Sequence, residues 1–132
     1  MFKIFGIALL AVFLYAGVGQ AQTPTQTVTF GLSWTDNSSS PNGEDGFRLY
    51  RCTGSTCSNF VVVDTVAANV VSVNNSISGD TGGVVYRYRV TAFNAAGESV
   101  PSNIVNVTSP VILLIPNAPS GLIGTVVGVT VP

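Results

Sequence analysis

Four side chains could grip an anion if the fold gathers them. Arg48 and Tyr50 stand two residues apart in GFRLYRC, and Arg87 and Arg89 two apart in YRYRVTAFNAAGES. Guanidinium forks bind carboxylate and phosphate, and a phenol ring stacks on sugars and other planar groups. The chemistry on offer is recognition of a glycan or an acidic polymer. The competing reading is plainer: long side chains covering the wet face of an antiparallel sheet.

Bond-breaking chemistry finds no comparable set. The chain has no histidine, and its six acids, Asp36, Glu44, Asp45, Asp64, Asp80 and Glu98, fall mostly at turns. Glu44 and Asp45 are neighbours on one loop, whereas glycoside hydrolysis needs two carboxyls facing each other across a cleft. Without a complete set of acid, base and nucleophile, the expectation is a non-catalytic protein that needs no cofactor. DNSSSPNGED collects Asp36, Asn37, Glu44 and Asp45, oxygen donors of the kind Ca²⁺ takes. Their spacing matches no calcium loop, and Asp and Asn routinely cap their own turns. Two cysteines without histidine cannot supply the four ligands of a structural zinc. No metal site is expected.

The opening MFKIFGIALLAVFLYAGVGQAQ has one lysine, an apolar run from Ile4 to Val18 and a small-residue junction ending at Ala21. That is the pattern of a secretory signal peptide over residues 1–21. Its apolar run is short for a spanning helix, so no membrane segment is expected in the mature form. Export makes Cys52 and Cys57 a disulfide pair, closing CTGSTC. Past the leader, four arginines face six acids. Such a surface lacks the basic field that nucleic acid requires.

The rest of the chain must supply strands. In TVTFGLSWTD, Val28, Phe30, Leu32 and Trp34 alternate with polar or small residues. Period-two alternation marks a half-buried strand. The same reading places Phe47 and Leu49 inward, with Arg48 and Tyr50 outward. It sets Tyr86, Tyr88, Val90 and Ala92 against Arg87, Arg89 and Thr91. Turn clusters punctuate these runs, and no segment past the leader has helical periodicity. The expected class is all-β, an antiparallel β-sandwich.

LSWTDNS, GFRLYRC, YRYRVTAFNAAGES and PSN resemble, in order and spacing, a fibronectin type III domain of an exported bacterial-type protein. The likeness spans about Thr27 to Thr108, within a domain placed at 22–109. It implies an immunoglobulin-like fold with strands B over 27–35, C over 46–52, C′ over 60–66, E over 70–74, F over 85–94 and G over 99–108. It makes Trp34 and Tyr86 structural residues, Tyr86 being the corner tyrosine whose hydroxyl bonds nearby backbone. It also makes C and F neighbours, which would put Arg48, Tyr50, Arg87 and Arg89 on one outer face.

Strand A is the departure: only QTPTQT stands in its place. Residues 110–132 read instead as a linker and a strand-A-like tail, NAPSGLIGTVVGVTVP following the apolar VILLI. The tail could be the start of a truncated second repeat. It could fold back as the reduced strand A, or complete a neighbour's sandwich through residues 111–131. The expected function is a secreted extracellular interaction, adhesion or spacer module whose partner is a protein or glycan. The alternatives are a surface-fibre subunit joined by strand exchange and an accessory domain of a polysaccharide-degrading enzyme.

Overall fold

In the computed structural model, residues 22–39 and 43–132 are described. The expected leader over 1–21 and the Pro41–Asn42 turn lie outside them. The described residues form only strands and turns, in two antiparallel sheets. The strands are β1 (Gln26–Ser33), β2 (Gly46–Thr53), β3 (Val61–Ala67), β4 (Ser72–Asp80), β5 (Val85–Asn94), β6 (Gly97–Glu98) and β7 (Val105–Thr108). One sheet is β1 with β4. The other runs β3-β2-β5-β6, with β7 also on β5.

Alternation decides what lies between the sheets. Phe47, Leu49, Tyr86 and Tyr88 are buried, and Phe30, Leu32, Val73, Ile77 and Val107 pack against this centre. Phe30 meets the rings of Tyr86 and Tyr88 at 5.7 and 6.2 Å between centroids, in tilted and edge-on geometries that suit aromatic quadrupoles. Trp34, just past β1, packs on Phe47 at 5.5 Å. Two polar groups enter this interior together. Asn75 Oδ1 accepts from the Tyr88 hydroxyl and from Arg51 Nη1, both at 2.8 Å. Arg51 shares the inward parity of Leu49, so this one arginine turns toward the core.

Two elements differ most from the sequence reading, each for a physical reason. β4 continues to Asp80, well beyond Asn74, because its ladder with β1 runs from Ser33↔Ser72 to Gln26↔Asp80. The polar run NNSISGD hides a strand whose pairing comes from β1. The last strand is split in two. Pro101 has no N–H to donate, and beside it serine hydroxyls stand in for backbone carbonyls. Val90 N–H donates to Ser102 Oγ and Ala92 N–H to Ser99 Oγ, each at 3.0 Å.

Tyr86 is a corner residue of a different kind from the expected one. Its hydroxyl donates to the side chain of Asp80, not to backbone, at 2.6 Å. Asp80 Oδ1 also accepts from Gln26 Nε2 at 3.0 Å and from the Gly82 amide at 2.8 Å. Burial pushes the Asp80 carboxyl up, but donors led by Tyr86 outweigh it and hold the pKa at about 2. Burial, and then the carboxylate beside it, push the Tyr86 phenol up to about 12.

The tail does not complete its own sandwich. Residues after Ser109 form no strand, so a strand A supplied by the tail of the same molecule is not the arrangement found. The tail is pinned at its root. Ser109 exchanges backbone bonds with Gly83 and Val84, and Gln26 Nε2 donates to the Pro110 carbonyl at 2.7 Å. Gly82 has φ +81°, and a Cβ there would lie 2.8 Å from Ile112 N, so only glycine lets the tail cross this turn.

These linked groups predict the pH dependence of folding. Asp80 is held below its ordinary 3.8, so its contribution is present above about pH 4 and is lost as pH falls toward 2. Tyr86 is held above 10, so its contribution is present below about pH 10 and is lost as pH rises toward 12. Tyr86→Phe is expected to lower Tm near neutrality by roughly 5–15 °C. It should also shrink the acid loss, because the folded-state Asp80 carboxyl moves back toward its ordinary 3.8, and remove the tyrosine part of the alkaline loss. Circular-dichroism melts across this pH range check all three.

Candidate functional site

The β2–β5 register brings the four polar candidates onto one face. Arg48 pairs with Thr91, Tyr50 with Arg89, and Cys52 with Arg87. What they meet there is mostly one another and their neighbours. Arg48 Nη1 lies 3.0 Å from Glu98 Oε2, and its guanidinium stacks 4.3 Å from the Phe93 centroid. The hydroxyls of Tyr50 and Thr91 both donate to Glu98 Oε1. The Glu98 carboxyl is accordingly held below its usual range, by Thr91 first and then Tyr50. Its hydrogen bond pushes the Tyr50 phenol up.

The other half of the face is organised by the disulfide. Cys52 and Cys57 are bonded, with their Cα atoms 6.0 Å apart. Cys52 has outward parity, so the loop it closes folds onto the outer face. Arg87 Nη1 donates to the Cys57 carbonyl. Arg89 lies 4.3 Å from the Phe60 centroid and 5.4 Å from that of Tyr50. Two of the four candidates are thus tied to Glu98 and one to the disulfide loop. Arg89 has aromatic neighbours and no carboxylate within ion-pair distance among the described residues.

Glu98 and Phe60 were missed by sequence reasoning. Glu98 looks like an ordinary turn acid until Gly97, at φ +140°, closes a two-residue turn that sets Glu98 across from Phe93. Counting back across that hairpin would have placed it near Thr91. The loop acids likewise serve local structure: Asp36 Oδ1 accepts from Ser38 N–H at 2.8 Å, and Glu44 Oε1 from Asn69 N–H at 3.0 Å.

A second feature lies along the free edge of the two-stranded sheet. β1 pairs only with β4, leaving its other edge without a partner strand among the described residues. Between this edge and β7 runs a groove of about 720 Å³, lined by Leu32, Trp34, Leu49, Tyr88 and Val107 and equally by polar residues, Ser33, Asn37, Arg89, Ser102 and Asn103 among them. The Trp34 indole N–H is buried with no hydrogen-bond partner among the described residues. Natural sheets protect free edges with charge, proline or a bulge. β1, QTVTFGLS, has no charge and no proline, and its one irregularity lies at Gln26–Val28. No protein-family model and no curated protein matches the chain.

The Glu98 cluster makes a prediction separate from the groove. Glu98→Gln removes the charge that holds the Tyr50 proton, so the Tyr50 phenol should titrate at lower pH. The Tm should move by only a few degrees, because partly exposed ion pairs contribute little to folding. Tyrosine ring NMR shifts followed against pH check the first point, and thermal melts the second.

Proposed function

We propose that this chain is an exported, non-catalytic interaction module of fibronectin type III type that binds an extended partner segment at its β1 edge. The observation that carries this reading is an unguarded strand, unpartnered among the described residues, beside a groove of mixed polar and apolar lining that reaches the core residues Leu49 and Tyr88. An added strand gains main-chain hydrogen bonds along the edge, while alternate side chains fill the groove. The edge offers eight residues of ladder, Gln26–Ser33, about 26 Å of backbone. The Cys52–Cys57 disulfide is compatible with an oxidising location outside the cell.

The outer face supports a second reading, glycan or acidic-polymer binding, through Arg89 alone. The stacked Tyr50, Arg89 and Phe60 form an aromatic and cationic patch, while Arg48 and Arg87 are occupied. Retention on immobilised polygalacturonate that Arg89→Ser abolishes would favour it, and unchanged retention would remove it.

The primary reading is tested with a lysine-flanked peptide of alternating valine and threonine. Hydrogen exchange should show the outward amides of β1 open in the chain diluted to monomer and protected with peptide present. Fluorescence of Trp34, the chain's one tryptophan, should change with the same midpoint. No protection on β1 at saturating peptide would overturn the reading.

A further inference from the structure

We propose that the groove beside β1 receives the segment Leu122–Val131 of a second copy of this chain, laid antiparallel to β1, so that molecules join head to tail. The proposal rests on the reading of the β1 edge as a strand acceptor and names its occupant.

The chain contains two uncovered pieces of matching kind. One is the β1 edge with its groove. The other is the tail, where Leu122, Ile123, Val126, Val127, Val129 and Val131 are all at least 81% exposed. Leu122–Val131 is uncharged and rich in β-branched residues. On one parity Ile123, Val127, Val129 and Val131 could enter a groove floored by Leu32, Leu49 and Tyr88. The ten residues span about 33 Å as a strand, enough to cover all of β1.

Direction decides whose groove is filled. Gln26, Asp80, Val85 and Thr108 lie at one end of the sandwich, joined by the pairs Gln26↔Asp80 and Val85↔Thr108. The tail leaves from that end, where β1 begins. A tail turning straight back into its own groove would run parallel to β1. An immediate reversal after β7 would need Ser109 and Pro110, and both are held on the Gly82–Val84 turn and by Gln26. In a second molecule stacked below in the same orientation, the tail meets the opposite end first, beside Trp34. It then runs toward Gln26, antiparallel to β1, which is the better-paired ladder.

The intervening residues fit a joint between molecules. Val111–Gly121 is eleven residues long and reaches about 35 Å when extended. Pro116 and Pro119 favour that extended form. Val111, Leu113, Leu114 and Ile115 are 68–92% exposed in the single chain. At a head-to-tail joint they would lie against the Trp34 end of the next molecule. Because the donor and acceptor surfaces differ, the contact is heterologous and repeats without closing on itself.

The test uses the exported full chain, the double variant Val127→Asp/Val129→Asp, and a synthetic peptide of residues 120–131. The unaltered chain should give concentration-dependent species above monomer in ultracentrifugation and a ladder on unboiled SDS gels. The double variant should lose both, remain folded by circular dichroism, and bind the peptide one to one with a change in Trp34 fluorescence. Three results would overturn the exchange while leaving the strand-acceptor reading intact. One is a monomer at every concentration whose β1 amides are already protected, which means self-insertion. Another is a monomer that binds only the valine–threonine peptide. The third is oligomers that survive the double substitution, which places the contact elsewhere. If the double variant leaves β1 unprotected with either peptide, both readings fall.

Discussion

One buried carboxylate fastens the end of this molecule from which the tail departs. Asp80 closes β4, accepts from Gln26 at the start of β1, from the amide of Gly82 in the turn, and from Tyr86 at the start of β5. A buried charge is tolerable only when its lone pairs are occupied, and here several donors from different elements occupy them. The two sheets are therefore joined at this end by polar bonds as well as by the aromatic contacts of Phe30. Gln26 extends the same network to the Pro110 carbonyl, so the carboxylate that unites the sheets also helps fix where the tail begins.

Much of the sandwich was legible because strand period is a local property. The inward parity of Phe47, Leu49, Tyr86 and Tyr88 follows from alternation alone, and their burial agrees. The disulfide was legible from two cysteines in a chain whose first 21 residues read as an export leader. The length of β4 was not, because Asn74 to Asp80 holds a single strand-former, Ile77, among Asn, Ser, Gly and Asp, and takes its pairing from β1. Nor was the partner of the Tyr86 hydroxyl. Its proximity to Asp80 depends on a turn containing Gly82 and Gly83, both at positive φ, whose path a linear reading does not fix. The resemblance to fibronectin type III domains supplied neighbours for the strands but pointed this hydroxyl at backbone.

The outer face shows how similar residues acquire different surroundings. Arg48, Arg87 and Arg89 share the outer face, yet each has different neighbours: Glu98, a disulfide-loop carbonyl, and Tyr50 with Phe60, while the Nε–H groups of Arg87 and Arg89 are buried without a hydrogen-bond partner among the described residues. Counting arginines along a strand gives the direction of each side chain. It says nothing of how much of each guanidinium is left for a ligand, because that depends on loops and hairpins arriving from elsewhere. Arg51, one position out of phase, serves the core through Asn75.

The free edges of the two sheets are not alike. Along β5, Pro101 and the hydroxyls of Ser99 and Ser102 break the last strand into β6 and β7, so that side offers no continuous ladder. β3 carries Asp64 and faces a bulge at Leu49–Tyr50. β4 is mostly Asn, Ser and Gly and ends in the buried Asp80. Among the described residues, only β1 combines an uncharged edge with a groove that reaches the core. The proposed exchange then has a valence of one on each side, a single socket and a single plug per molecule. Units of that kind form unbranched strings with two chemically distinct ends.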